Sequence, residues 1–189
     1  VYDLSGKFGA TPEVAARLLA DARPHATRLG LCFHVGSQTM DPAAYTAALA
    51  LAKQVIDASG VAVDVIDVGG GFPVAYPDLT PPELDGYMAA IRDGVAALGL
   101  PGIRVWGEPG RALVAQGVSV VVQVQHRRGA ELFINDGIYG SLSDAGAPGF
   151  RFPVRLVCRQ SDAEMEAFAS AWQDGWRARM EAQPTRFFM

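Results

Sequence analysis

Three clusters of polar and glycine residues each follow a short apolar run: His34-Val35-Gly36-Ser37, Gly69-Gly70-Gly71 and Glu108-Pro109-Gly110-Arg111. Their chemistries are complementary. The successive N–H groups of a glycine run form a concave anion nest with no β-carbon in the way. An arginine fork donates two parallel hydrogen bonds to a phosphate, and Ser37 adds a hydroxyl. His34 offers a flat ring to stack on an aromatic face. Glu108 offers a carboxylate to a protonated ring nitrogen, which turns that ring into an electron sink.

Each cluster also has an ordinary structural reading. A histidine after a strand is commonly just a hydrogen-bonded structural residue, and glycines there commonly make turns. Glu108 and Arg111 could form an exposed ion pair, worth under about 1 kcal/mol. The glycine run weighs against the ordinary reading, because each glycine adds backbone entropy to the unfolded chain. Together the clusters meet the needs of a phosphorylated, planar, basic cofactor, pyridoxal 5'-phosphate (PLP). A dinucleotide site is disfavoured: the run does not supply G-x-G-x-x-G, and no G-x-x-x-x-G-K-[ST] occurs.

The elements that must position these clusters alternate between strand and helix. Residues 29–35, 61–68 and 102–108 are apolar, strand-like runs. Between them, 41–60 predicts a helix with Asp41 as N-cap, Pro42 at its first position and Gly60 past its end. A second helix is predicted over 80–99 with Thr80 as cap, and a helix from about Thr11 to Leu29 precedes all of these. This alternation implies right-handed βαβ units and a parallel sheet, in either a closed (β/α) barrel or an open doubly wound fold. In both, ligands bind at the strands' C-terminal edge, where all three clusters fall. Beyond Arg111 the segment VSVVVQVQHRRGAELFIND (118–136) reads as two β segments joined at Arg128-Gly129. The expected organisation is a partial barrel over 1–116, the beginning of a β domain over 117–157 and an amphipathic helical tail over 158–189.

Composition sets the class. The 189 residues are 50% hydrophobic and 19% charged, ordinary for a soluble globular protein. The net charge of -4 and the lack of a basic cluster larger than His126-Arg127-Arg128 argue against nucleic acid as a partner. No apolar run reaches the ~18 residues of a membrane span, so no membrane partner is expected. Cys32 and Cys158 form neither a metal-ligand spacing nor a disulfide framework. That favours a reducing, cytoplasmic compartment and no bound metal. The opening VYDLSGKFGA has no initiator methionine and reads as the middle of a longer protein.

Five motifs in order, KFG (7–9), FHVGSQ (33–38), DVGGGFP (67–73), EPGR (108–111) and NDGIYGS (135–141), resemble the fold-type III PLP-dependent decarboxylases over residues 1 to about 157. GGGFP and DGIYGS resemble the ornithine decarboxylase branch of that family. The resemblance implies part of an alanine racemase-like (β/α)8 TIM barrel followed by the start of a β domain. It implies that His34 stacks on the PLP ring and Glu108 binds the pyridine nitrogen. Ser37, Gly71 and Arg111 would hold the phosphate, with Gly69, Gly70, Pro109 and Gly110 shaping the loops around it. Tyr139, and Asp144 ahead of the family's usual acidic position, would lie on the substrate side. The implied reaction is decarboxylation of a basic amino acid, first of all L-ornithine to putrescine in polyamine biosynthesis, by a homodimer with shared active sites. Diaminopimelate, lysine or arginine decarboxylation is the alternative, as is a non-catalytic relative that binds a regulatory protein. Such a decoy would have no need of a phosphate cradle.

Two family features are not matched in these residues. The family's lysine, which holds the cofactor covalently in a Y-A-V-K pattern, has no counterpart, and neither does its G-P-T-C-D motif with the proton-donor cysteine and adjacent Asp. Lys7 belongs to the KFG motif and Lys53 to the solvated face of a helix, while Cys158 lies outside any such motif. The chain by itself is therefore expected to carry the cradle without the anchor or the acid, and to be inactive alone.

Overall fold

A computed structural model describes residues 7–146 and 151–157. The chain divides after Ser119 into two compact units, and the tail expected over 158–189 lies outside the described residues.

In the first unit, helix α1 (Pro12–Ala22) begins at Thr11, whose hydroxyl accepts from the Val14 N–H at 3.4 Å. It stops well short of Leu29. Pro24 cannot donate an intrahelical hydrogen bond, and residues Arg23–His25 tighten into one 3-10 turn. Strand β1 (Gly30–Cys32) follows, then helix α2 (Ala43–Ser59). Asp41 serves the start of α2 through a carboxylate that accepts from the Ala43 N–H at 2.9 Å. Gly60 closes the helix at φ 67°, a left-handed conformation that glycine adopts without strain.

Strand β2 (Val65–Asp67), helix α3 (Leu84–Ala97), strand β3 (Arg104–Trp106) and the single-turn α4 (Arg111–Val114) complete this unit. Thr80 does not cap α3. Pro82 biases Pro81 away from helical backbone, and the helix starts only after Glu83, which is extended at φ -61° and ψ 147°.

The three strands pair in parallel in the order β1-β2-β3, with Cys32 opposite Asp67 and Asp67 opposite Trp106. Consecutive order, with both crossover helices packed on one face, is the winding of a barrel. That face is apolar for a simple reason of period: Tyr45, Leu49, Ala52, Val55 and Ile56 recur at helical spacing on α2, as do Tyr87 and Ile91 on α3. Tyr45, Leu49 and Tyr87 enclose Ile66 and Val68 of the β2 segment, with Tyr45 stacked on Phe72 at 5.2 Å and edge-on to Tyr87 at 6.1 Å. Gly94 on α3 makes room for Leu49, whose side chain occupies the space of a β-carbon. Alternation along the strands sends Cys32, Asp67 and Trp106 to the opposite face.

The second unit contains an antiparallel hairpin, β4 (Val124–Arg128) and β5 (Glu131–Ile134), turning at Gly129 with φ 60°. Arg128 pairs with Glu131 at 2.8 Å, so the basic residues of this turn belong to a solvated hairpin end.

Candidate cofactor site

The three predicted clusters lie on the loops that leave β1, β2 and β3, and these loops are stitched together by backbone contacts. The glycine run is the centre of the stitching. A β-carbon at Gly69 would fall on the Phe33 carbonyl oxygen, and one at Gly71 on the Gly36 carbonyl oxygen. At Gly70 it would come within 2.7 Å of the Glu108 carbonyl oxygen and 3.5 Å of His34 Nε2. Gly69 and Gly71 also have φ of 67° and 102°, where other L-residues are strained. All three positions therefore require glycine for packing alone, whatever else the run does.

The run is also polarised. Each of its carbonyls receives a protein donor: Gly69 from the Glu108 N–H at 2.8 Å, Gly70 from the Tyr45 hydroxyl at 2.8 Å, and Gly71 from the Thr39 N–H at 2.9 Å. The Gly69 N–H is taken by the Asp67 carboxylate at 2.9 Å, so the nest expected over 69–71 reduces to two amides. Among the described residues, the N–H groups of Gly70 and Gly71 meet no protein acceptor. Acceptors tied down and donors left over are what an anionic oxygen group needs.

His34 and Ser37 are exposed on the loop after β1. His34 Nδ1 accepts from the Gly36 N–H at 2.9 Å, which assigns the proton of the neutral ring to Nε2 and fixes the ring against its own loop. Gln38 follows at φ 55°, unusual for a residue with a side chain. Its amide compensates by bonding both ways to Val74, donating to the carbonyl and accepting from the N–H at 3.1 Å. The Thr39 hydroxyl donates to the Gly36 carbonyl at 2.6 Å, and the Thr39 carbonyl accepts from the Tyr87 hydroxyl at 2.8 Å. Tyr45 and Tyr87 thus brace the loops from the helix side. Burial, then the neighbouring Tyr87, pushes the Tyr45 phenol up to about 12, and burial raises Tyr87 as well.

Glu108 shares its strand-end position with two residues the sequence clusters did not include. Single ligand atoms of Cys32, Asp67 and Glu108 all lie within 4.8 Å of one another. Burial, followed by the charges of Asp67 and Glu108, raises the Cys32 thiol, which keeps it protonated and a poor nucleophile. The signal for Asp67 was its place two residues before the glycine run, but only strand register puts Cys32 beside it. Pro109 and Gly110 lead from Glu108 to Arg111, which begins α4. Glu108 and Arg111 make no ion pair with each other among the described residues. Arg111 donates instead to the Tyr76 hydroxyl at 3.0 Å.

Tyr139 and Asp144 belong to the second unit. Tyr139 is fully exposed, and Asp144 sits in the 3-10 turn Ser143–Gly146. Here the organising residue is Asp136, whose carboxylate accepts from the N–H groups of Gly137 at 2.7 Å and Ser141 at 3.1 Å. The Gly137 bond, then Ser141, holds Asp136 below the usual carboxylate range. Lys53 is paired with Asp57 one turn along α2 at 2.9 Å, and the Lys7 ammonium lies 5.0 Å from the Phe8 ring.

The fold and the site together define a cluster of strand-end loops on part of an α/β barrel, in which the N–H groups of Gly70 and Gly71 are flanked by the loops that carry His34 and Glu108. Residues 3–115 match the family profile described as the pyridoxal-binding domain of pyridoxal-dependent decarboxylases, and the chain belongs to that family. PLP is the cofactor of the family, and the N–H groups of Gly70 and Gly71 are donors of the kind a phosphate requires. The lysine/ornithine decarboxylase of Selenomonas ruminantium is 37% identical over 164 residues, covering 82% of this chain and 41% of that protein. The ornithine decarboxylase of Schizosaccharomyces pombe is 35% identical over 150 residues, covering 74% and 33%. Among solved structures, the lysine/ornithine decarboxylase of Vibrio vulnificus complexed with cadaverine superimposes with a TM-score of 0.65 at 33% identity, covering 84% of this chain and 46% of that one. The barrel alternative is therefore the correct one, as an alanine racemase-like TIM-barrel segment. The chain spans less than half the length of these relatives.

Proposed function

We propose that this chain forms the cofactor cradle of a PLP-dependent decarboxylase acting on a basic amino acid, with L-ornithine to putrescine as the leading reaction. The observation that carries the reading is the polarised glycine run: three carbonyls bound by protein donors, and the N–H groups of Gly70 and Gly71 with no protein acceptor among the described residues. Ser37 and Arg111 complete the phosphate grip. Glu108 holds the proton on the pyridine nitrogen, and His34, locked by Gly36, presents its ring to the cofactor's face. When bound, PLP supplies the electron sink that accepts the pair left by the departing carboxylate. Gly69 and Asp67 fix the loop that carries the cradle.

Lysine as an additional substrate is a second reading, favoured by the names of the Selenomonas and Vibrio relatives. In either case the protein would work in polyamine synthesis, in the cytoplasm, as a homodimer sharing active sites. Tyr139 and Asp144 remain candidates for the substrate side. The test is carbon dioxide release by the full-length protein from ornithine, lysine, arginine and diaminopimelate, with the amine product identified by mass spectrometry. Turnover of ornithine to putrescine is expected to exceed the others. No carbon dioxide from any of the four would overturn the reading.

A further inference from the structure

Residues 72–79, between β2 and α3, form a strap that reaches both neighbouring loops. At one end Gln38 grips Val74 through both atoms of its amide, next to Ser37. At the other end the Tyr76 hydroxyl accepts from Arg111 at 3.0 Å, and the guanidinium carbon lies 5.8 Å from the Tyr76 ring centroid. The strap has its own shape. Tyr76 and Leu79 exchange two backbone hydrogen bonds, of 3.0 and 2.9 Å, around a tight turn in which Asp78 takes φ 63°.

Left-handed backbone strains a residue that carries a side chain. Here it occurs at Gln38 and Asp78, the only such positions without glycine among the described residues. Both serve the strap. The strain sits where the loop from β2 is fastened to the loop from β1 and where it turns back beside Arg111.

We propose that Tyr76 is a positioning residue for the cofactor phosphate: it fixes the plane of the Arg111 guanidinium, while the Gln38–Val74 pair fixes Ser37 through the same strap. The inference rests on the phosphate-cradle reading above. A guanidinium donates usefully to a phosphate only when its planar fork faces the oxygens. At the end of a flexible side chain that orientation costs entropy, which a pre-formed bond to Tyr76 removes before the ligand arrives. Tyr76 is half-buried and its ring also supports the loop, so Tyr76→Phe isolates the hydroxyl.

The experiment compares the affinities of PLP and of pyridoxal, which has no phosphate, for the full-length apoprotein carrying Tyr76→Phe, with Arg111→Ala alongside. Thermal denaturation of each apoprotein is followed in parallel. For Tyr76→Phe, PLP affinity is expected to fall about tenfold, the equivalent of one hydrogen bond to a charged group. Pyridoxal affinity and the apoprotein melting temperature are expected to stay unchanged. Arg111→Ala should show the same pattern more strongly. Wild-type PLP affinity in Tyr76→Phe beside a loss in Arg111→Ala would overturn the role of Tyr76 while leaving the cradle intact. Equal losses for PLP and pyridoxal in Tyr76→Phe would make Tyr76 a general loop support and would also overturn it. If Arg111→Ala fails to separate PLP from pyridoxal, the cradle reading falls and the proposal falls with it.

Discussion

The Tyr45 hydroxyl, on helix α2, donates to the carbonyl of Gly70 across 2.8 Å of otherwise apolar core. It is a strut between the barrel's helical layer and the middle residue of the glycine run. Tyr45→Phe leaves that carbonyl without its buried donor, a loss of about 1–3 kcal/mol. The expected result is a lower urea midpoint with an unchanged slope.

The same phenol predicts an alkaline transition. Its folded value is pushed up to about 12 by burial, against about 10 in the unfolded chain. A raised folded value stabilises the protein fully below about pH 10, and that contribution is lost as the pH climbs through the folded value. Stability should therefore fall between about pH 10 and pH 12, and Tyr45→Phe should flatten that part of the profile. An equally steep fall in the variant would assign it to another group.

Two glycines separate strain from crowding. At Gly60, φ is 67° and a β-carbon would meet nothing within 4 Å, so Gly60→Ala should cost about 1 kcal/mol and leave PLP binding intact. At Gly70 the β-carbon would press on the Glu108 carbonyl at 2.7 Å. Gly70→Ala should therefore lower both the melting temperature and the PLP affinity, read by cofactor absorbance and fluorescence in the full-length protein.

Asp64 joins the segment before β2 to the one before β1. Its carboxylate accepts from the Leu29 N–H at 2.8 Å and from Arg23 at 2.9 Å. The backbone bond, then Arg23, holds it below the usual carboxylate range. A lowered folded value contributes stability above the unfolded value of about 4 that is lost as the pH falls through the folded one. Asp64→Asn should weaken the acid-side dependence in pH-resolved denaturation.

Glu108→Ala should abolish most decarboxylation in the full-length protein while bound PLP stays detectable, because the proposed phosphate cradle is built from other side chains and backbone amides. Wild-type turnover would refute the role of Glu108 at the ring nitrogen. Lys53→Ala is the matching control: an exposed i,i+4 pair is worth about 0.3–0.5 kcal/mol, and cofactor retention should not change.

Much of this molecule was legible in one dimension. Local composition announces the βαβ order: the apolar runs that contain β1, β2 and β3, the helical spacing of Tyr45, Leu49 and Ala52, and Gly60 as a stop. The clusters at residues 34–37, 69–71 and 108–111 could be assigned to one edge because parallel strands all end there. Local signals failed where a neighbour intervened within a few residues. Pro24 cut α1 short, and Pro82 displaced the start of α3 from Thr80. What only the tertiary structure decided is how the loops meet. The need for glycine at 69, 70 and 71 comes from the carbonyls of Phe33, Glu108 and Gly36, which lie far away in sequence. Register alone brings Cys32 beside Asp67, and a loop with no periodic pattern carries Tyr76 to Arg111. Periodicity reports which face of an element is buried. Contacts between backbones on different loops leave no such trace, since any residue presents the same carbonyl.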